Sequence, residues 1–149
     1  MAAKCFLKLF GVPGESTVPG HQGQIEIASW SWGEAMPGSV PTFPTKSDFN
    51  FQGTLDAAAP KLMLALAQGT QVGPAVLTCL RTDSTGKTTQ YLKITLQNVF
   101  ISSYELTGDG SSGLGEDSFS LNFTKIDFQY TTHAGVLIET SFDFTPSGG

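Results

Sequence analysis

The feature that most constrains the fold of this chain is an alternation of apolar and polar residues with a period of two. A period of two puts successive side chains on opposite faces of a β-strand, and several such strands divided by turns indicate a sandwich or barrel. The alternating segments, each bounded by turn-forming Gly, Pro, Ser or Asp, are 4–10, 24–34, 48–54, 75–81, 88–106, 117–131 and 136–145. The sequence therefore predicts an all-β fold.

Two of the longer segments change phase midway. In 88–106 the apolar positions change parity between Leu96 and Val99, and in 117–131 they change between Phe123 and Ile126. A slip of one residue moves every later side chain to the other face of a sheet. We therefore expect β-bulges near 97–98 and 124–125. Such bulges let long strands coil around a small barrel, or they turn one half of each strand toward a partner.

One helix interrupts the strand pattern. Asp56 is a suitable N-cap for a helix over about residues 57–68, which are rich in Ala and Leu. Pro60 falls in the first turn, where its missing N–H is tolerated, and Gly69 stands where a helix commonly ends. The length of 149 residues is that of one domain, so we expect a single domain over 1–149 with the helix covering one side or end.

Charge is scarce and unevenly distributed. Charged residues make up 14% of the chain, against roughly 25% in an average domain, which is typical of a subunit in an assembly. The net charge of −5 argues against nucleic acid as a partner. The acidic excess lies in residues 105–149, as a solvated edge or as one side of a subunit contact. The interface candidates are Glu105, Asp109, Glu116 and Asp117.

No motif in the chain predicts catalysis or a cofactor. Residues 108–113 read Gly-Asp-Gly-Ser-Ser-Gly, but a strand follows instead of the helix that a dinucleotide site needs, so a loop is predicted. Glu116 and Asp117 are adjacent carboxylates that we expect to be solvated or paired across a subunit boundary. His21 and His133 belong to no metal or nucleophile motif. We therefore predict no enzyme activity, no cofactor and no metal site.

The two cysteines and the N-terminal segment bear on the compartment. Cys5 and Cys79 form no CxxC motif, and we expect two reduced, packed thiols, with a disulfide left open. Lys8 interrupts the apolar run of residues 1–10, so no signal peptide is expected and export would proceed without a cleaved leader. The longest apolar stretch, 62–67, is far short of the roughly 20 residues that span a bilayer, so no membrane insertion is expected.

The segment 35–46 is predicted to be an extended arm. It contains three prolines and no charge before Lys46, and a stiff apolar arm is badly suited to bare solvent. It either folds back over its own barrel or reaches onto a neighbouring subunit. The candidate contact residues are Met36, Pro37, Val40, Pro41, Phe43 and Pro44.

Several blocks of sequence resemble one known family. Ser29-Trp-Ser-Trp-Gly33, together with Ser120-Leu-Asn-Phe123 and the following Lys125-Ile126, is similar to the haemolysin-coregulated protein (Hcp) family, the tube proteins of bacterial type VI secretion systems. Further matching blocks cover most of the chain in family order: 6–9, 13–16, 25–27, 60–69, 91–96 and 99–104. The chain departs from the family at 141–143, which read Ser-Phe-Asp where many relatives have Gly-Trp-Asp.

The resemblance implies a small antiparallel β-barrel of two packed sheets with one short flanking α-helix, assembled into a homohexameric ring. Rings would stack into an inner tube that a contractile sheath expels behind a spike and that carries effector proteins. The family's extended loop implies that the arm 35–46 reaches onto a neighbouring subunit or the next ring rather than back over its own barrel. The protein would reside in the bacterial cytoplasm before firing and outside the cell afterwards. The alternatives are a phage tail-tube-like protein, a secreted carbohydrate-binding β-sandwich using Trp30 and Trp32, and an enzyme using Glu116, Asp117 and His133.

Overall fold

The structure is a computed structural model, and it describes residues 4–38, 43–111 and 115–145. The described residues form twelve β-strands and one α-helix. They are β1 (Lys4–Lys8), β2 (Ile25–Ile27), β3 (Ser29–Ser31), β4 (Glu34–Ala35), β5 (Thr45–Lys46), β6 (Phe49–Thr54), α1 (Ala59–Gln68), β7 (Ala75–Thr82), β8 (Thr88–Gln97), β9 (Phe100–Thr107), β10 (Glu116–Asn122), β11 (Lys125–Thr131) and β12 (Leu137–Asp143).

Two antiparallel sheets enclose the core. Within the described residues, one sheet has six strands in the order β12-β11-β8-β7-β1-β2, and the other has four in the order β3-β6-β10-β9. Alternate residues of both sheets point inward, as in β6, where Phe49 and Phe51 are buried and Asn50 and Gln52 are exposed. A third, two-stranded sheet pairs β4 with β5. The all-β expectation, with two packed sheets and one short helix, is confirmed.

The two phase changes are crossovers between sheets, so the prediction of bulges at these places is wrong. β8 of the six-stranded sheet ends at Gln97, and the chain continues as β9 of the four-stranded sheet. The reverse crossing separates β10 from β11 at residues 123–124. Because the core lies between the sheets, a strand that changes sheet must also change the face it buries. The register shifts lie elsewhere, between Cys79 and Leu80 and between Ser120 and Leu121.

Hydrogen bonds hold the two crossovers together. The backbone N–H of Thr124 donates to the carbonyl oxygen of Gln97 at 3.1 Å, and the Asn98 side-chain amide donates to Oγ1 of Thr124 at 2.7 Å. Asn98 has φ 56°, a left-handed conformation that Asn tolerates better than most residues. The side chains of Val99 and Phe123 are buried on the core side of the crossovers.

The helix begins two residues later than predicted. The N-cap residue is Ala58, and Asp56 accepts the N–H of Ala58 at 2.8 Å in the turn that precedes the helix. Pro60 lies in the first turn and Gly69 ends the helix with φ 66°, both as expected. The helix packs against β9 and buries Leu62 in the core. None of the helices among the described residues is long and apolar enough to cross a membrane.

The two cysteines are joined in a disulfide, which corrects the expectation of two reduced thiols. Cys5 of β1 and Cys79 of β7 are directly opposed across the strand pair, with their Cα atoms 4.1 Å apart. Cys79 is fully buried and Cys5 is half-buried. Opposition of this kind is a property of strand register, which the spacing of 74 residues along the chain does not reveal.

Candidate assembly surfaces

The six-stranded sheet extends beyond the sheet that covers it. Residues opposed across antiparallel strands share a face, and the buried Leu92 and Ile94 of β8 lie opposite Tyr130 and Phe128 of β11. The same face continues onto β12, where Ile138 opposes Tyr130, Thr140 opposes Phe128, and Phe142 opposes Ile126. We call the uncovered part of this face the overhang: Phe128, Tyr130, Ile138, Thr140 and Phe142.

The overhang is apolar yet exposed in the single chain. Phe128 is 38% exposed, Ile138 is 58% exposed and Phe142 is 42% exposed. On the adjacent strand β8, the residues of the same face are buried. β12 is also an edge strand in the part of the chain that the structure describes. An apolar edge with unpaired backbone groups is a ready site for pairing with another chain. An apolar face continuous with the core is typical of a protein–protein contact.

Strand pairing and side-chain contacts fix the base of the arm 35–46. β4 and β5 pair there, and Trp32 Nε1 donates a hydrogen bond to the carbonyl oxygen of Ser47 at 3.0 Å. The ammonium group of Lys46 lies 4.4 Å from the centroid of the Phe123 ring, a cation–π contact. Burial lowers the pKa of Lys46, opposed by the negative charge of Asp48.

The arm base also contacts the overhang. The Phe43 and Phe142 ring centroids are 5.8 Å apart, and a cleft of about 220 Å³ between Pro44, Phe128 and Phe142 opens beside them. Met36 remains 44% exposed and Phe43 37% exposed. The predicted contact residues Val40 and Pro41 lie outside the described residues.

The predicted acidic residues do not form one surface. Glu105, Asp109 and Glu116 are exposed. Asp117, in contrast, is only 5% exposed, and its carboxylate accepts a hydrogen bond from the Tyr104 hydroxyl at 3.0 Å. The expectation that Asp117 is solvated or paired across a subunit boundary is therefore wrong, because it faces inward on the same side of β10 as Phe119 and Leu121.

The surroundings of the buried Asp117 and the half-buried Tyr104 favour their neutral forms. Burial raises the pKa of Asp117, and the charge of Asp56 raises it further, while the hydrogen bond from Tyr104 acts in the opposite direction. Burial, with the hydrogen bond to Asp117, raises the pKa of Tyr104 to about 12. The folded state therefore binds the Asp117 proton more tightly than the unfolded state, in which the pKa is near the ordinary 3.8.

This pair predicts a specific pH dependence of stability. The contribution of protonated Asp117 is fully present below pH 3.8 and is lost as the pH rises through the higher pKa of the folded state. As the pH rises from about 4 to 7, we expect Asp117→Asn to lose less stability than the wild type. At pH 7 we expect the variant to be at least as stable as the wild type. Urea unfolding across this range measures the difference. Glu116→Gln, at an exposed neighbour, is the control, and identical pH profiles for wild type and Asp117→Asn would contradict the prediction.

The two histidines lie in different parts of the fold. His21 stacks on Phe6 next to β2, whereas His133 lies in the turn between β11 and β12, at the opposite edge of the six-stranded sheet. Among the described residues no group of three or more His, Cys, Asp or Glu is placed to hold a metal ion.

The two tryptophans do not form a sugar platform. The Trp30 and Trp32 rings stack against Phe49, at centroid distances of 5.7 and 6.1 Å, so both lie against the core. Of the glycine-rich segment 108–113, residues 108–111 form a loop and the rest lies outside the described residues.

Sequence reasoning missed the overhang, although one signal was available. Val136, Leu137 and Ile138 are three consecutive apolar residues, which breaks the alternation expected of a strand with one solvated face. All three are more than half exposed in the structure. A run of this kind at the end of an alternating chain indicates a strand that needs cover on both faces.

Comparison with known proteins identifies the family of this chain. The family model described as "Type VI secretion system effector, Hcp" matches residues 6–130. The protein hcp1 of Pseudomonas aeruginosa is 31% identical over 137 residues, which cover 87% of this chain and 84% of that protein.

Solved structures share the fold. Hcp1 from Salmonella typhimurium superposes with a TM-score of 0.84 at 24% identity, covering 97% of this chain and 96% of that one. A type VI secretion system effector from Yersinia pestis gives a TM-score of 0.78 at 23% identity, covering 93% and 98% of the two chains.

The family match spans most of the chain, and the two-sheet fold with one flanking helix is that of the solved relatives. The blocks at 29–33 and 120–126 that carry the resemblance lie within the matched region. The chain belongs to the Hcp family and is a structural subunit of a type VI secretion tube.

Proposed function

We propose that this chain assembles head to tail into a closed homohexameric ring, and that rings stack into the inner tube that a contractile sheath expels. The observation that carries the proposal is the overhang, an apolar surface continuous with the core and left uncovered at the β12 edge. The opposite edge of the same sheet is the short β2, a different surface. A contact between two different edges is heterologous and can close into a ring.

The energy available at this contact is substantial. Phe128, Ile138 and Phe142 of the overhang are each between 38% and 58% exposed. Fully burying an aliphatic or aromatic side chain is worth roughly 1.5–3 kcal/mol, so covering three half-exposed ones contributes about 3 kcal/mol per contact. Each subunit in a closed ring makes two such contacts, which favours the ring over open dimers.

The arm and the exposed carboxylates have secondary roles in this proposal. Met36, Pro37, Val40, Pro41, Phe43 and Pro44 form the contact of the arm with another subunit or ring. Glu105, Asp109 and Glu116 lie at the polar rim of a subunit contact, where charge sets orientation more than affinity. Asp117 acts within the subunit, through its hydrogen bond with Tyr104.

The wider role follows from membership of the family. We propose sheath, spike and effector proteins as the partners of the assembled tube, with the subunit made in the bacterial cytoplasm and exported on firing. The chain acts as a single domain over 1–149, and its role is mechanical rather than catalytic. The dispersed histidines and the inward-facing tryptophans support this assignment.

Native mass spectrometry of the purified protein at about 10 μM and moderate salt tests the proposal. The expected result is a closed six-membered assembly, with ring-shaped particles in negative-stain images. A strictly monomeric protein under these conditions would contradict it. An open distribution of oligomers without a preferred size would contradict ring closure specifically.

A further inference from the structure

The disulfide joins two sulfur atoms that lie in different surroundings. Cys79 is fully buried, and the residue opposed to it on β8 is the buried Leu92. Cys5 is only half-buried and is the second residue of β1. Among the described strands, only the three-residue β2 lies between β1 and the edge of the sheet. A reagent in solution therefore has access to the bond at Cys5 and not at Cys79.

The covered part of the core ends at this pair. Ala75, Leu77 and Cys79 are the buried residues of one face of β7, whereas Arg81, the next residue on that face, is partly exposed. On β1 the same face changes from the fully buried Leu7 to the half-buried Cys5. The side of the bond that faces solvent is therefore at this end of the two strands.

We propose that Cys5 is a thiol–disulfide exchange site for small thiols and disulfides of the glutathione type, with Cys79 as the resolving sulfur that closes the bond inside the folded chain. Access fixes these roles, because exchange requires that a thiolate reach the sulfur that it attacks. The proposal goes beyond the assembly of the tube and does not depend on it.

Closure proceeds in two exchange steps. The Cys5 thiolate attacks a small disulfide RSSR, a bond forms between Cys5 Sγ and one sulfur of the reagent, and the other sulfur leaves as RS⁻. The Cys79 thiol then loses its proton, its Sγ attacks Cys5 Sγ, and the second RS⁻ leaves. The two cysteines lose two electrons, which the small disulfide gains, and their two protons end on two molecules of RSH. Opening is the reverse sequence and begins with the attack of RS⁻ on Cys5.

The strand pairing lets this exchange take place without unfolding. β1 pairs with β7 through five opposed residue pairs and with β2 through three, and β7 pairs with β8 through eight. Both strands are therefore held by backbone hydrogen bonds on each side, whether the sulfur atoms are bonded or not. Since Cys5 and Cys79 are directly opposed in this register, two thiols at these positions face each other in the folded chain.

The two single variants of the full chain test which sulfur exchanges with the reagent. Cys79→Ala keeps the thiol of Cys5, and Cys5→Ala keeps the thiol of Cys79. Each is incubated with oxidised glutathione, and intact mass spectrometry follows the addition of one glutathione. We expect Cys5 in Cys79→Ala to react at least tenfold faster than Cys79 in Cys5→Ala. Equal rates, or a faster reaction at Cys79, would overturn the proposal.

Two controls connect the rate difference to the fold. In denaturing urea the two variants should react at the same rate, because both thiols are then exposed. If circular dichroism shows that either variant fails to fold, the reduced wild-type chain is treated with limiting iodoacetamide and digested. Alkylation of Cys5 should then exceed that of Cys79 at least tenfold, and equal alkylation of the two would count against the exchange site.

The urea dependence of closure tests whether the bond closes in the folded chain. The reduced wild-type protein is mixed with oxidised glutathione in a series of urea concentrations below the unfolding transition. We expect a closure rate that rises with the concentration of oxidised glutathione and changes less than twofold with urea. A rate that rises steeply with urea would mean that closure requires unfolding, which contradicts the proposal.

The same preparation separates this inference from the proposed function. Native mass spectrometry of the oxidised and the reduced protein reports whether rings form. If rings form and glutathione adds preferentially to Cys79, the exchange site fails while the ring stands. If Cys5 reacts as expected and the protein is strictly monomeric, the ring fails while the exchange site stands.

Discussion

Replacing Ile138 with lysine is expected to leave the chain folded but to convert its rings into monomers. Ile138 is 58% exposed in the single chain, so the folded monomer loses little. In a ring the new ammonium group would be removed from water in an apolar contact, which costs several kcal/mol, in addition to the lost burial. A cost of about 3 kcal/mol weakens each contact more than a hundredfold, and ring closure multiplies that effect around the assembly.

The matched control for Ile138→Lys is Ser141→Lys. Ser141 is exposed on the same strand, but it opposes Asp127 and therefore lies on the other face of β12, away from the overhang. Sedimentation velocity at about 10 μM reports the oligomeric state, and circular dichroism reports folding. We expect rings with Ser141→Lys and monomers with Ile138→Lys. Intact rings with Ile138→Lys would show that the overhang is not the ring contact.

The sequence predicted those features that depend on neighbours along the chain. Alternation placed the strands, as in β6, where Phe49 and Phe51 face inward and Asn50 faces outward. The end of the helix was also predicted, because Gly69 adopts a left-handed conformation that few other residues tolerate. These signals are local, and the physical cause of each can be read from a few consecutive residues.

The features that were mispredicted depend on which strands become neighbours. A parity change between Leu96 and Val99 is the same in sequence whether the strand bulges or crosses to the opposite sheet. The position of the core between the two sheets is what requires a crossover rather than a bulge at this point. The opposition of Cys5 and Cys79 likewise follows from the pairing of β1 with β7.

The candidate site was predicted only in part for the same reason. The arm was identified from its prolines and its lack of charge, and the structure adds that its base packs on Phe142. Asp117 was assigned to the surface because it follows a Ser/Gly loop and stands next to Glu116. Its burial depends on Tyr104 of the neighbouring strand, which provides the hydroxyl that its carboxylate needs. The overhang depends on the different widths of the two sheets, which no local pattern contains.

The scarcity of charge and the overhang have one physical explanation. A chain with 14% charged residues has few means of keeping an apolar edge strand from pairing with other chains. β12 and the turn before it carry Val136, Leu137 and Ile138 in succession, and the nearest charge along the strand is Glu139. Such an edge is a liability in a monomer. In a closed ring the same edge is covered, so the composition and the proposed assembly support each other.

Reducing the Cys5–Cys79 disulfide is expected to cause the largest loss of stability in the isolated subunit. The bond closes a loop with a sequence separation of 74, for which loop entropy predicts a contribution of about 4 kcal/mol to the free energy of unfolding. For a chain of this size that corresponds to a fall of about 10 °C in Tm. The measurement is thermal unfolding of protein refolded with and without a phosphine reductant. It is made in the Ile138→Lys background, so that assembly does not add to the apparent stability.

The double variant Cys5→Ala/Cys79→Ala separates the effect of the bond from that of the reductant. Its Tm should lie near that of the reduced protein and should not change when the reductant is added. A difference between the two is expected to be small, because each substitution removes only one sulfur atom, although the one at Cys79 leaves a fully buried site. Equal Tm values for the wild-type cysteine pair with and without reductant would contradict the prediction. They would mean that the pairing of β1 with β7 along five opposed residue pairs holds the two strands together without the covalent bond.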